Sequence, residues 1–120
     1  MTQPMDRTLD VSLQECIENC TECHNACTQT VTYCMEMGGA RAEAAHLEAL
    51  LDCAQACATS ADFMLRGSGL HPNVCAVCAA ACERCAESCE QFPGDVLIAK
   101  CAEACRRAAA SCGDMAGMKM

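Results

Sequence analysis

Five cysteines between Cys75 and Cys89 follow one another at alternating intervals of three and four residues, at positions 75, 78, 82, 85 and 89. Residues three and four positions apart lie on one face of an α-helix. The five thiols therefore form a single stripe along about four helical turns, roughly 21 Å long at about 1.5 Å per residue. A helix in a bundle normally has Leu, Ile or Val on its buried stripe. Here the stripe is sulfur, so the helix must pack around thiols.

The rest of the chain contains three further helical segments, each with cysteines on one stripe. Capping residues mark two of the starts: Ser12 and Glu15 have the form of a capping box before the first segment, and Asp95 is a suitable N-cap for the last. Breaks that contain glycine end the first three segments. The helices are predicted over residues 12–37, 40–66 and 72–91 and from residue 96 onward, with fraying from Gly113.

Four helices of about twenty residues, joined by loops of a few residues, predict an antiparallel up-down-up-down bundle. No segment alternates with period two, which argues against β-structure. The prediction is therefore an all-α four-helix bundle with a Cys-lined core over residues 10–115. A flexible N-terminal tail is predicted at residues 1–9 and a C-terminal tail at residues 116–120.

The composition excludes several classes of function. A formal net charge of −8 argues against a surface that binds nucleic acid, because such a surface needs clustered Lys and Arg. No stretch approaches the roughly 18 apolar residues of a membrane span, so no membrane association is predicted. No basic region followed by an apolar segment opens the chain, so we expect no signal peptide and a cytoplasmic protein with reduced thiols. No set of acid, base and nucleophile converges, so no enzymatic activity is predicted.

Fifteen cysteines in 120 residues need an explanation beyond packing. A buried cysteine behaves as a small hydrophobic residue, but Leu would fill a core better. A disulfide framework suits short secreted chains with irregular folds, whereas this chain has an odd number of cysteines and long helices. Both interpretations are therefore disfavoured.

Metal binding is the remaining interpretation, and charge separates the candidate metals. Zinc and iron–sulfur sites usually take four thiolates each, and every Zn²⁺ held in this way leaves about −2 in the interior, which is costly. Cu(I) prefers soft thiolates, and each Cu⁺ replaces one thiol proton, so a column with about one ion per cysteine stays near neutral. Because the 3–4 spacing of the cysteines is continuous, the metal sites are adjacent to one another, as a protein that stores many ions requires. The alternatives are an iron–sulfur or thiol–disulfide redox protein, or a zinc–thiolate protein.

Two short motifs have known meanings but stand alone here. Residues 20–24 match the CxxCH haem-attachment pattern, in a Cys-rich helix where chance matches are expected. Residues 43–46 match half of the ExxH di-iron motif, and no second copy is present. Both are interpreted as chance, and His24 is expected to be exposed.

Soft ligands other than the central thiols are predicted at both ends of the bundle. The first end is a candidate mouth that admits Cu(I), and it holds Cys34, Met35, Met37, His46, Cys89 and Cys101. The opposite end is predicted to be plugged, or to form a second entry, by Met64, His71, Met115 and Met118.

The stripe from Cys75 to Cys89, the series at positions 16, 20, 23 and 27, and the segment Cys101-Ala-Glu-Ala-Cys105-Arg-Arg resemble the bacterial copper storage proteins. The lack of a leader resembles the cytosolic branch of that family. The resemblance covers residues 10–115 and implies a bundle filled by many Cu(I) ions and assembled as a homotetramer. It also implies storage or detoxification of copper, with His and Met near the mouth. A copper donor or acceptor protein is a further expected partner.

The chain departs from the family pattern at Ala108, at Ser60 and Met64, and in the connection of residues 92–97, which lacks the usual histidines. These departures bear on capacity and entry route, not on the type of chemistry. The prediction is a cytosolic Cu(I)-storing bundle with the candidate ligands Cys16, Cys20, Cys23, Cys27, Cys34, Cys53, Cys57, Cys75, Cys78, Cys82, Cys85, Cys89, Cys101, Cys105, Cys112, His46, Met35, Met37 and Met64.

Overall fold

The structure, a computed structural model, describes residues 10–117. Within these residues it contains four α-helices and no strand, which confirms the predicted all-α fold. The predicted N-terminal tail, Leu9 and Met118 lie outside the described residues. The helices are α1 (Val11–Met37), α2 (Ala44–Leu65), α3 (His71–Cys89) and α4 (Val96–Gly117), with a short 3₁₀ helix at Gly39–Ala42 between α1 and α2.

The helices form an elongated antiparallel bundle, as predicted, with principal extents of 55 × 21 × 18 Å. Each helix packs against the next along the chain, and α1 packs against α4 to close the ring. Cys16 near the start of α1 lies 3.7 Å, sulfur to sulfur, from Cys112 near the end of α4. Ser60 near the end of α2 contacts Cys75 near the start of α3. One end of every helix therefore meets the opposite end of its neighbour.

Small residues let the helices approach closely. Alanines fill the buried positions beside the cysteines on α2 and α4, and Leu50, Met64 and Ile98 are the largest fully buried apolar side chains among the described residues. Thiols and methyl groups therefore provide most of the packing, which accords with a sequence that has no Trp, one Tyr and two Phe.

The start of α1 differs from the prediction. Asp10, and not Ser12, is the N-cap: its carboxylate accepts a hydrogen bond of 3.1 Å from the Leu13 N–H. The predicted capping box at Ser12 and Glu15 is wrong, because Ser12 already lies in the first turn, where Asp10 satisfies the free N–H. At the other end, Gly38 with a φ of 71° terminates α1, and its N–H donates to the Cys34 carbonyl at 3.1 Å. Glycine adopts this left-handed backbone without strain.

Two other helix boundaries differ from the prediction. The second helix begins at Ala44 and not at Ala40, because the chain first makes the 3₁₀ turn. The predicted fraying from Gly113 is wrong: α4 continues to Gly117, and Met115 in its last turn is buried against the core. Burial of that side chain holds the final turn in place, so the first two residues of the predicted C-terminal tail, 116 and 117, are helical.

Asp95 ties the α3–α4 connection to the rest of the bundle. It caps α4, as predicted, with one carboxylate oxygen accepting from the Ile98 N–H at 3.2 Å. The other oxygen accepts from the Tyr33 hydroxyl at 2.7 Å and from the Arg41 guanidinium at 2.9 Å. The carboxylate is largely buried, so a single side chain joins α1, the 3₁₀ helix and α4 at one end of the bundle.

Replacing Asp95 by alanine is expected to lower the free energy of unfolding of the metal-free protein by about 2–4 kcal/mol. The change removes an N-cap worth about 1 kcal/mol and charge-assisted hydrogen bonds worth about 1.5–3 kcal/mol. Urea denaturation followed by circular dichroism measures the loss. Asp95→Asn is the matched control, because asparagine still caps a helix, and its expected loss is smaller.

The same residue predicts a dependence on pH. Its hydrogen bond from Tyr33, then those from Ile98 and Arg41, hold the pKa of Asp95 below its ordinary value. A lowered pKa in the folded state stabilises the protein above the ordinary pKa, and this contribution is lost as pH falls through the lowered one. The stability difference between wild type and Asp95→Asn should therefore narrow in acid. A difference that stays constant would show that the charge of Asp95 contributes nothing.

Candidate metal-binding column

All fifteen cysteines face the inside of the bundle, and none is more than 1% exposed. The 3–4 spacing places the thiols of each helix on its inner face, and the four inner faces meet along the bundle axis. These fifteen side chains are called the sulfur column below. The prediction of a Cys-lined core is confirmed.

Most of the sulfur column is organised into groups of three or four thiols whose sulfur atoms all lie within 4.8 Å of one another. Four of the five groups share members: Cys27 and Cys105 belong to two groups, as do Cys23 and Cys53, and Cys57 belongs to the groups on either side of it. The fifth group shares no member but is joined to the fourth by the contact of 3.4 Å between the Cys20 and Cys112 sulfurs. The column is therefore a chain of linked sites. The groups are Cys27/Cys85/Cys101/Cys105, Cys23/Cys27/Cys53/Cys105, Cys23/Cys53/Cys57/Cys82, Cys20/Cys57/Cys78 and Cys16/Cys75/Cys112.

The distances between sulfurs suit metal-bound thiolates. The closest contacts include 3.4 Å between Cys20 and Cys112 and 4.0 Å between Cys23 and Cys27. A disulfide bond is about 2.05 Å long, so these are free thiols in van der Waals contact. An ion about 2.3 Å from each of three sulfurs, the distance in zinc thiolates, spaces the sulfurs about 4.0 Å apart. Each group therefore needs only small movements to hold an ion.

Electrostatics restrict which ions the column accepts. Among the described residues the buried polar side chains are Thr30, His46, Ser60 and Asp95, so no buried Lys or Arg offsets negative charge along the axis. Two neighbouring groups share thiols and cannot each hold a separate four-thiolate Zn²⁺ site. A Cu⁺ ion that replaces one thiol proton adds no net charge. Linked occupation of the whole column without a large buried net charge therefore favours a monovalent ion.

His46 joins the end of the column next to the α1–α2 connection. It is buried, and its Nε2 lies 3.5 Å from the Cys34 sulfur. Its Nδ1 lies 2.6 Å from the Ser88 hydroxyl oxygen, and Phe92 packs against the ring with centroids 5.1 Å apart. Burial lowers the pKa of His46, so the imidazole is neutral at physiological pH and keeps a lone pair for a soft metal.

At this end, the surroundings of Cys34 and Cys89 favour the protonated thiol. Burial raises the pKa of Cys34, and the negative charge of Asp95 adds to the effect. The neighbouring Cys101 and Cys85, together with burial, raise the pKa of Cys89. Metal binding here must therefore release protons, which makes affinity fall as pH falls.

The predicted thioether ligands have different surroundings. Met35 and Met37 are 56% and 53% exposed, so their side chains lie at the surface and outside the sulfur column. Met64 is buried near the end of α2, at the opposite end from His46. Of the predicted non-cysteine ligands, the structure therefore brings His46 and Met64, but neither Met35 nor Met37, into the interior.

His24 departs from its prediction. It is half-buried and not exposed, because its Nδ1 donates a hydrogen bond of 2.9 Å to the Ala54 carbonyl. Cys20, the first cysteine of the CxxCH match, belongs to the buried column. The histidine thus ties α1 to α2 on the outer side of the column.

Sequence reasoning missed Ser88, which orients the His46 ring from a different helix. No spacing signal marks a contact between residues 42 positions apart. Thr30, Ser60 and Ala108 occupy inner positions without a thiol, and each is at most 1% exposed. They lie on the cysteine stripes, and the stripe pattern alone locates them.

None of the helices within residues 10–117 is long and apolar enough to cross a membrane.

The family model for copper storage proteins matches residues 10–117 of the chain. The chain belongs to the copper storage protein family. The match spans all of the described residues, and with them every cysteine of the column. The linked thiol groups of this copper storage protein are suited to binding multiple Cu(I) ions.

Solved structures agree with the family assignment. The Cu(I)-bound copper storage protein BsCsp3 superimposes with a TM-score of 0.82 at 30% identity, over 88% of this chain and 98% of that one. A crystal structure of a protein from Nitrosospira multiformis gives a TM-score of 0.86 at 43% identity, over 91% and 98%. An uncharacterized cysteine-rich protein of Bacillus subtilis is 33% identical over 82 residues, 68% of this chain and 76% of the relative.

Proposed function

We propose that this copper storage protein holds Cu(I) along the whole sulfur column, with all fifteen cysteines as ligands. The observation that carries the proposal is the linkage of the thiol groups: shared members allow one thiolate to bridge two ions. Bridging lets ions occupy neighbouring groups while each ion contributes one positive charge and displaces one proton. A filled column is then close to neutral, and the bundle tolerates it without buried counter-charges.

His46 and Cys34 are the ligands that we assign to the first ion at the α1–α2 end. The short distance from Nε2 to the Cys34 sulfur supports this, as does the hydrogen bond to Ser88 that fixes the ring. Met35 and Met37 are proposed as surface thioethers that receive Cu(I) before it reaches His46. Met64 is proposed as a weak thioether ligand or plug at the opposite end.

We also propose a cytoplasmic location and a homotetramer. The free thiols support a reducing compartment. Exposed apolar side chains on α2 and α3, Leu51, Leu65 and Val77, support burial of these helices against another copy of the chain. Light scattering after gel filtration tests the tetramer. A copper donor or acceptor protein is proposed as a transient partner, and neither nucleic acid nor a membrane as a ligand.

Zinc is a second candidate, favoured by one observation. Two groups with no common member each offer four thiols: Cys23/Cys53/Cys57/Cys82 and Cys27/Cys85/Cys101/Cys105. Two Zn²⁺ ions fit there, but each leaves about −2 in a core without a buried cation. We therefore expect Cu(I) to displace zinc completely. Zinc that stays bound while Cu(I) is added would favour the zinc–thiolate function.

Replacing Ser60 by cysteine is expected to raise the Cu(I) capacity by about one ion per chain. The Ser60 hydroxyl oxygen lies 3.2 Å from the Cys75 sulfur, so a sulfur at that position extends the group near the end of the column. Anaerobic titration against a competing chelator measures the change. Thr59→Cys is the matched control, because Thr59 is exposed on the same helix. Equal gains in both variants would show that the column is not what holds the metal.

A further inference from the structure

The end of the sulfur column opposite His46 carries a histidine of its own. His71 is the first residue of α3 and stands four positions before Cys75, so both lie on one face of the helix. Cys75 belongs to the last thiol group, with Cys16 and Cys112. This end therefore places an imidazole next to three thiols.

One nitrogen of this imidazole lacks a partner. Among the buried side-chain nitrogen and oxygen atoms of residues 10–117, only Nδ1 of His71 makes no hydrogen bond. A buried polar atom without a partner is costly, and in a native protein it needs an explanation such as an absent ion. His71 stands about one helical turn before Cys75, which places the ring on the side of the helix that carries this sulfur.

A surface cavity of about 360 Å³ lies on the outer side of His71. It is lined by the α2–α3 loop at Gly67, Ser68 and Gly69, and by Asp10 and His71. The histidine thus lies between solvent and the last thiol group. Loops are the usual place for such access, because they have few packing contacts to break.

At the opposite end, an aromatic ring covers the histidine. There, Phe92 packs on His46, and the Arg41 guanidinium lies 5.3 Å from the centre of the Phe92 ring. Asp95 holds Arg41 in that position with a hydrogen bond of 2.9 Å. Surface cavities lie at both ends, and the one lined by Cys89 and Phe92 measures about 550 Å³. Among the described residues, only the His71 end combines a cavity with a buried nitrogen that makes no hydrogen bond.

We propose that His71 Nδ1 and the Cys75 thiolate, with Cys16 and Cys112 behind them, form a mixed nitrogen–sulfur Cu(I) site that is a second entry to the sulfur column. The inference rests on the proposed function. A Cu⁺ ion delivered to the cavity binds Nδ1 and the Cys75 sulfur, and the thiol proton of Cys75 leaves to solvent. The ion then passes to Cys16 and Cys112 as the next ion arrives.

Nitrogen NMR of the three histidines tests the site directly in the wild-type protein. Cu(I) is added anaerobically, as its complex with a chromogenic chelator, to metal-free protein labelled with ¹⁵N-histidine. The Nδ1 signal of His71 should shift during the first additions, while the signals of His24 stay in place. A protein that fills with Cu(I) while the His71 nitrogens stay unchanged would overturn the second entry alone. A protein that binds no Cu(I) would overturn the proposed function instead.

Uptake kinetics provide a second test. His71→Ala should load Cu(I) of order tenfold more slowly from the same complex, as expected when one supporting ligand is lost. His24→Ala is the matched control, because that ring contacts a backbone carbonyl outside the column. Circular dichroism checks that both variants keep the helix content of wild type. Equal loading rates in the two variants would exclude a role of His71 in entry.

Discussion

Replacing Cys23 and Cys53 together by serine is expected to lower the Cu(I) capacity by about three or four ions per chain, more than the number of thiols removed. Each of these cysteines belongs to two of the thiol groups, and their sulfurs lie 3.5 Å apart. Their loss removes ligands from ions on both sides and divides the column at its middle. Anaerobic titration, with metal and thiol counted on the same sample, measures the change.

The matched control removes two thiols that belong to none of the groups. Cys34 and Cys89 are equally buried, but each lies outside every cluster of three or four sulfurs. Their double replacement by serine should cost about two ions. Equal losses in the two double variants would show that thiolates are not shared between ions. A collapse of the helical circular dichroism of the metal-free Cys23/Cys53 variant would show instead that these sulfurs hold the fold together.

Loading with Cu(I) is expected to raise the midpoint of thermal unfolding by about 20 °C or more. An ion at about 1,000 times its dissociation constant stabilises the folded state by about 4 kcal/mol per site, and each kcal/mol shifts the midpoint of a domain this size by about 4–8 °C. The ions also join all four helices, since the central group has members from α1, α2 and α3 and its neighbour one from α4. Circular dichroism during heating measures the shift.

Two comparisons make this thermal prediction specific. The Cys23/Cys53 double serine variant should show a smaller rise, because the middle of its column stays empty. A competing chelator in excess should return the wild-type midpoint to that of the metal-free protein. A rise of only a few degrees on full loading would mean that the ions bind at the surface and do not crosslink the core.

The sulfur column is the part of the molecule that the sequence predicts best. Its periodicity is a local property: intervals of three and four place thiols on one face of any helix, whatever the helix packs against. A bundle of four such helices has only one interior to which the faces can turn. Burial of every cysteine follows from these two facts, and the structure confirms it from Cys16 to Cys112.

The ends of the bundle are less predictable, because contacts between distant segments decide them. Asp10, and not Ser12, accepts the capping hydrogen bond from the Leu13 N–H, and residue spacing does not choose between two suitable caps so close together. Likewise, the position of Ser88 beside His46 depends on the rotation of α3 against α2. Helix periodicity determines neither of these contacts. The sequence could therefore indicate which end of the bundle holds the candidate mouth, but not how its side chains are arranged.

Exposure of Met35 and Met37 has a similar origin. Met35 directly follows Cys34, and a helix turns by about 100° per residue, so its side chain leaves the inward face. Met37 continues the stripe three residues after Cys34, but it is the last residue of α1 and is exposed at the end of the helix. Spacing relative to the stripe separates these cases: Met64 continues the α2 stripe and is buried, whereas Met35 is adjacent to Cys34 and leaves the stripe. Spacing relative to the stripe also separates the two histidines: His46 lies on the α2 stripe, whereas His24 is adjacent to Cys23 and leaves the stripe.

The most direct test of the account is the anaerobic titration of the metal-free wild-type protein with Cu(I) against a competing chelator, with metal and thiol counted together. A linked column predicts continuous tight uptake up to about one ion per cysteine, on the order of fifteen ions per chain, without any loss of helix content. Saturation at two or three ions per chain would contradict it, because isolated sites and not a shared column would then bind the metal.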